Sequence, residues 1–121
     1  MQIIQYLHAA ILVSDLTKSS HFYGTILGLP TVDRPLKFPG IWYQLGDMQL
    51  HLILAEQVPD RLVDERWGRN YHLALAVTDL EAAKRQLLAH HCPVQMSASG
   101  RAALFTRDPD GNIIELSEVS N

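Results

Sequence analysis

Apolar and polar residues alternate with a period of two along several short stretches of the chain, and with a period near 3.6 along two longer ones. The first pattern predicts strands over about 5–13, 31–35, 40–45 and 48–55, and again over about 71–77, 94–97, 101–107 and 112–119. The second predicts helices over about 15–27 and 79–90, the latter placing Leu80, Ala83, Leu87 and Leu88 on one side. Ser14 or Asp15 can cap the first helix, and Thr78 with Glu81 three residues later reads as a capping box for the second. Gly28 and Pro30, then His91 and Pro93, end them. "RDPDGN" (107–112) reads as a hairpin turn, and Gly46-Asp47 occupies the corresponding place in the first half. In "MQLHLIL" (48–54) the alternation sets Leu50, Leu52 and Leu54 on one face, and Gln49, His51 and Ile53 on the other.

The order of elements is β-α-β-β-β twice, and the residues repeat with it. "HAAILVSDL" (8–16) superimposes on "HLALAVTDL" (72–80) at a spacing of 64 residues, histidine on histidine and Asp-Leu on Asp-Leu. The same spacing carries His51 onto Glu115. One domain over 1–121 is expected, with a first module over about 1–56, a polar linker over about 57–70 and a second module over about 71–121.

The repeat changes the weight of four polar residues. His8, His51, His72 and Glu115 sit inside otherwise apolar strands, where an unpaired carboxylate or imidazole is costly. If the modules pack about a pseudo-twofold axis, the four converge, and a divalent metal would neutralise Glu115 and satisfy the imidazoles. Three nitrogens and one oxygen suit Zn, Ni, Fe, Co or Mn and leave room for water or substrate. Trp42, Tyr43, Trp67 and Tyr71 are candidates to line a ligand groove, although Trp42 or Tyr43 reads first as core and Trp67 can cap the linker. His21, His90 and His91 lie off the repeat positions and are given no role.

Composition narrows the partners. A net charge of -3 with no Lys/Arg run argues against nucleic acid. No apolar run approaches the ~18 residues of a membrane span. The apolar N-terminus lacks the basic region and cleavage site of a signal peptide, and reads as a strand. The single cysteine, Cys92, excludes an intrachain disulfide and fits a structural residue in a reducing, cytoplasmic setting.

"LHAAILVSDLTKSSHFYGTILGLP", "YHLALAVTDL" and "FTRDPDGNIIELSE" together resemble the vicinal oxygen chelate superfamily, which includes glyoxalase I, extradiol dioxygenases, fosfomycin-resistance proteins and bleomycin-binding proteins. The resemblance implies an α+β fold, two βαβββ modules forming an open, cupped mixed β-barrel around a metal held by His8, His51, His72 and Glu115. It implies a small-molecule substrate that binds the metal through neighbouring oxygens, with Glu115 and His51 as candidate proton-transfer residues. A glyoxalase-like lyase or isomerase is the first expectation. An extradiol-type Fe(II) dioxygenase would use His8, His72 and Glu115, with His51 as an acid–base residue. Fosfomycin-type transfer would draw on Arg101, Arg107 and Lys37 for a phosphonate, and a bleomycin-type protein would only bind. The apolar residues after His8 stand where glyoxalase I carries an arginine for glutathione. The resemblance also implies a homodimer in which His8 and His51 of one chain meet His72 and Glu115 of the other.

Overall fold

The two halves of the chain each build a four-stranded mixed sheet with a helical segment against one face. The computed structural model describes residues 1–120, and the chain divides into one unit over Met1–Val58 and another over Pro59–Asn121. In the first unit the elements are β1 (His8–Val13), α1 (Leu16–Ser20) continuing into a π-helical segment (His21–Ile26), β2 (Thr31–Val32), β3 (Gly40–Leu45) and β4 (Met48–Leu54). In the second they are a 3-10 turn (Trp67–Arg69), β5 (His72–Val77), α2 (Leu80–Ala89), β6 (Val94–Met96), β7 (Ala103–Arg107) and β8 (Ile113–Glu118). The sheet orders are β1-β4-β3-β2 and β5-β8-β7-β6, with β1 parallel to β4 and β5 parallel to β8. The α+β fold of two βαβββ modules is therefore the observed one.

Most strands match their sequence patterns, and the exceptions have local causes. β1 begins at His8, near the point where its partner β4 begins at Met48; beyond the His8–Gln49 pair, one further bond ties Gln49 N–H to the Leu7 carbonyl. β2 is only Thr31–Val32, cut short ahead of Pro35, which has no N–H for a ladder. α2 is capped by Asp79 rather than Thr78: its backbone is extended and its carboxylate accepts from Ala82 N–H at 3.0 Å. Asp15 does the same for Lys18 in α1. The first helix does not run on as α-helix to residue 27. From His21 the turns widen, with Leu27 N–H bonding the Phe22 carbonyl at 2.9 Å, and the neighbours Phe22 and Tyr23 are both buried.

Strand alternation separates two faces in each unit. Val13, Tyr43, Leu50 and Leu52 bury against Phe22, Tyr23 and Ile26; Leu104, Ile114 and Leu116 form the corresponding core with Leu80 and Leu87. The opposite face carries His8, Ala10, Trp42, Gln49 and His51 in one unit, and His72, Ala74, Phe105 and Glu115 in the other. Leu54 shares the core-facing parity of Leu52 but ends its strand and is 40% exposed.

The β3–β4 and β7–β8 hairpins differ by one residue. Two residues, Gly46 and Asp47, join Leu45 to Met48, whereas three join the paired residues Asp108 and Asn112. The extra length is accommodated by Gly111 at φ 89° and by the buried Asp108 carboxylate, which accepts from the Asp110 and Asn112 N–H groups at 2.9 and 2.8 Å. The stretch expected as a linker is organised in its latter part. Buried Asn70 accepts from Val63 and Asp64 N–H at 2.7 and 3.0 Å, and Gln95 of β6 accepts from Trp67 N–H at 2.8 Å. Cys92 is a free thiol, partly buried, and burial pushes its pKa up, as suits a structural residue.

Leu52→Ala should cost about 2–5 kcal/mol of stability because it opens a cavity in the first unit's core. Leu54→Ala should cost less than about 1 kcal/mol. Urea unfolding of the two variants checks this, and equal losses would contradict the assignment of faces.

Candidate functional site

Each unit gathers its share of the predicted residues on the face turned away from the helix. In the first, Ala10 and Trp42 lie on either side of His51 in register. The rings form a column: Trp42 stacks on His51 at 3.9 Å and 4°, and His8 stacks on His51 at 4.1 Å and 17°. The Arg34 guanidinium stands 4.8 Å from the Phe38 ring and 5.9 Å from that of Trp42. Leu36, Phe38, Trp42, His51 and His8 line an open groove of about 520 Å³. His51 is buried while His8 is exposed. Burial, followed by the nearby His8 and Arg34 charges, holds the His51 imidazole below its ordinary 6.5.

In the second unit Ala74 and Phe105 flank Glu115 in the same way. Glu115 Oε1 lies 3.3 Å from His72 Nε2, while Oε2 accepts from the Ser117 hydroxyl and stands 3.6 Å from Arg101. Burial raises the Glu115 pKa, but the Ser117 hydrogen bond and the charges of Arg101 and His72 outweigh it, and the net shift is downward. His72 Nδ1 lies 2.7 Å from the Asn70 carbonyl. A carbonyl only accepts, so Nδ1 carries a proton there, while Nε2 lies against the carboxylate and donates to it when the ring is doubly protonated. His72, Glu115, Arg101 and Phe105 line a groove of about 510 Å³.

The residues fit a divalent metal in chemistry and, in the second unit, in spacing. Two ligands about 2.0 and 2.1 Å from a tetrahedral metal stand roughly 3.3 Å apart, the separation of His72 Nε2 and Glu115 Oε1. The Nδ1–H bond to Asn70 is the outer contact that orients a metal-binding histidine. In the first unit a stacked pair cannot aim both in-plane lone pairs at one ion. His8, being exposed, would have to rotate out of the stack. Among the described residues no three His, Cys, Asp or Glu side chains form a ligating cluster; each unit brings two of the four predicted residues together.

Other candidates sort by burial. Tyr43 is wholly buried in the core, Trp42 lines the groove, Tyr71 is 89% exposed, and Trp67 lies 5.9 Å from the Arg107 guanidinium. Arg107 bonds Asp60 at 2.9 Å, and Lys37 lines neither groove. Sequence reasoning missed Gln49, Gln44, Asn70 and Ser117. Gln49 and Ser117 each lie two residues from a predicted site residue on the same strand face, where strand alternation already places them; what it did not supply is the hydrogen bond each makes.

The model of the Glyoxalase/Bleomycin resistance protein/Dioxygenase superfamily matches residues 5–116. The chain belongs to this superfamily. Solved structures agree in fold. A glyoxalase family protein from Bacillus anthracis is 21% identical with a TM-score of 0.79, covering 98% of both chains. A fosfomycin resistance protein from Listeria monocytogenes is 13% identical with a TM-score of 0.78, covering 96% of this chain and 91% of the other. Lactoylglutathione lyase from Agrobacterium tumefaciens is 23% identical with a TM-score of 0.68, covering 94% and 92%. No curated protein sequence matches the chain. Among the described residues of this superfamily member, no helix is long and apolar enough to cross a membrane.

In the metal-free protein, the fold favours neutral His51 and ionised Glu115, so the unfolded chain binds protons more readily in both ranges. Stability should fall as pH drops below the ordinary His value of 6.5, and again below the ordinary Glu value of 4.5. His51→Gln should flatten the first decline and Glu115→Gln the second. Urea midpoints measured between about pH 7.5 and 4 would reveal both.

Proposed function

We propose that the chain is a divalent-metal-dependent enzyme of the lyase or isomerase kind that acts on a small molecule through two neighbouring oxygens, with His8, His51, His72 and Glu115 as metal ligands. Bound metal would supply Lewis-acid stabilisation of negative charge developing on those oxygens. The observation that supports the reading is the His72 Nε2–Glu115 Oε1 spacing of 3.3 Å, with the other histidine nitrogen tied to a backbone carbonyl.

The side chains divide the remaining work. Glu115 is a carboxylate at neutral pH, and with Oε1 directed to His72, its Oε2 is the atom that can take a proton from carbon next to a carbonyl and return it. Ser117 and Arg101 hold that oxygen in place. His51, kept neutral by burial, keeps one ring-nitrogen lone pair for the metal, and it would accept a proton only where it is not a ligand. Trp42, Phe38 and Leu36 give the substrate an apolar wall that excludes water. The working form is a cytoplasmic homodimer in which His8 and His51 of one subunit share a metal with His72 and Glu115 of the partner subunit, so dilution to monomer would release metal.

The groove of the first unit supports a second reading. Its stacked rings and apolar lining suit a non-catalytic binder of a planar small molecule.

Elemental analysis of anaerobically purified protein separates the two. Wild type should hold about one Zn, Ni or Co per site, lost or sharply reduced in His51→Ala and Glu115→Gln. Iron retained in His51→Ala would replace the lyase with a dioxygenase built on His8, His72 and Glu115. No metal in wild type, even after reconstitution, would overturn the enzyme and leave the binder.

A further inference from the structure

We propose that Gln44 and Gln49 are positioning residues that hold His51 as its Nε2–H tautomer, so that the first unit offers an imidazole Nδ1 where His72 in the second offers Nε2. The orientation starts from two backbone carbonyls. Gln44 Nε2 lies 2.7 Å from the Gly46 carbonyl oxygen and 3.2 Å from that of Met48. Carbonyl oxygens only accept, so the amide nitrogen must face them; turning the amide over would bring three oxygens together. Gln44 Oε1 is thereby directed to Gln49, 3.0 Å from its Nε2. The oxygen can only accept, which makes Gln49 the donor there and leaves Gln49 Oε1 on the other side of its amide. That oxygen lies 2.8 Å from His51 Nε2. It too can only accept, so Nε2 carries the proton, and a neutral imidazole has its lone pair on the remaining nitrogen, Nδ1.

The stack completes the constraint. Trp42 covers one face of His51 at 3.9 Å and His8 the other at 4.1 Å. While the stack holds, the ring is kept from tilting and presents its in-plane edge to a partner. His72 is fixed in the opposite sense, because the Asn70 carbonyl takes Nδ1–H. The two units therefore use different supports, a side-chain amide relay in one and a backbone carbonyl in the other, to expose different nitrogens. Under the proposed function, Nδ1 of His51 is the atom that meets the metal, with Gln49 as its outer hydrogen-bond partner. The tautomer itself does not depend on that reading.

Long-range proton–nitrogen NMR of metal-free protein labelled with 15N in histidine, at about pH 8.5 where His51, held below its ordinary 6.5, is neutral, tests the inference. In wild type, His51 Nε2 should show the shift of a protonated ring nitrogen and Nδ1 that of an unprotonated one. Gln49→Glu keeps an acceptor and should keep the pattern. Gln49→Leu should mix the tautomers. Gln44→Leu should mix them as well, although Gln44 does not bond His51, because it frees the Gln49 amide to turn over. His72 should remain Nδ1–H throughout, which monitors the fold. A wild-type His51 protonated on Nδ1, or a pattern unmoved by both leucine variants, would overturn the proposal. Titration with Zn²⁺ then addresses the metal separately. His51 Nδ1 should shift while Nε2 keeps its proton, and Zn²⁺ affinity should fall about 10- to 100-fold in Gln49→Leu. Zn²⁺ binding with loss of the Nε2 proton would overturn the assignment of Nδ1 as donor. No Zn²⁺ binding with the tautomer intact would overturn the metal reading and leave the relay standing.

Discussion

The parallel pairing of β1 with β4, and of β5 with β8, determines on which face every side chain of these strands lies. A shift of one residue in either ladder would send His51 or Glu115 into the hydrocarbon side and bring Leu52 or Leu116 out of it. The apolar face beneath the helical segments resists that shift, because each core leucine or isoleucine moved into water would forfeit about 1.5–3 kcal/mol. The ionisable residues are thus held in place by neighbours on the opposite face. Once the core is seated, Ala10, His51 and Trp42 must share one face, as must Ala74, Glu115 and Phe105.

On that common plan the two units set up different electrostatic environments. The first surrounds its histidines with rings and aliphatic groups, and disfavours added charge at His51. The second faces its carboxylate with a hydroxyl, a guanidinium and an imidazole, and favours the charged form. Corresponding positions of the two units thus favour opposite charge states, neutral at His51 and ionised at Glu115. Their difference arises from a few groups, burial with His8 and Arg34 on one side and Ser117, Arg101 and His72 on the other.

Much of this was legible in the sequence because it rests on periodicity. Alternation and the repeated "H…SDL" and "H…TDL" segments reveal the strands, the module order and the correspondence of His51 with Glu115. Features that depend on contacts distant in sequence, or on competing local geometry, were not legible. The π-helical widening after Ser20 accompanies the burial of both Phe22 and Tyr23, and an amphipathic pattern does not register it. Asp79 displaces Thr78 as cap although both are capping residues, a choice made by backbone angle. The role of Asn70 was hidden because its side chain organises the loop while its carbonyl, a group every residue carries, orients His72. The amide relay was hidden for a related reason: Gln44 and Gln49 acquire direction only when the β3–β4 turn brings its carbonyls to them.

The one-residue difference between the hairpins makes the internal duplication easier to understand. Trp42 and Phe105 are structural counterparts separated by 63 residues, while His51 and Glu115 are counterparts separated by 64. No single spacing therefore describes the whole repeat, and a comparison of the halves at constant period falls out of step in one strand of each hairpin. The mismatch is confined to a turn tip, and the pairs along both ladders remain intact. Turn length and strand pairing are therefore independent there, and the two halves can differ in chain length at that tip without disturbing what either of them holds.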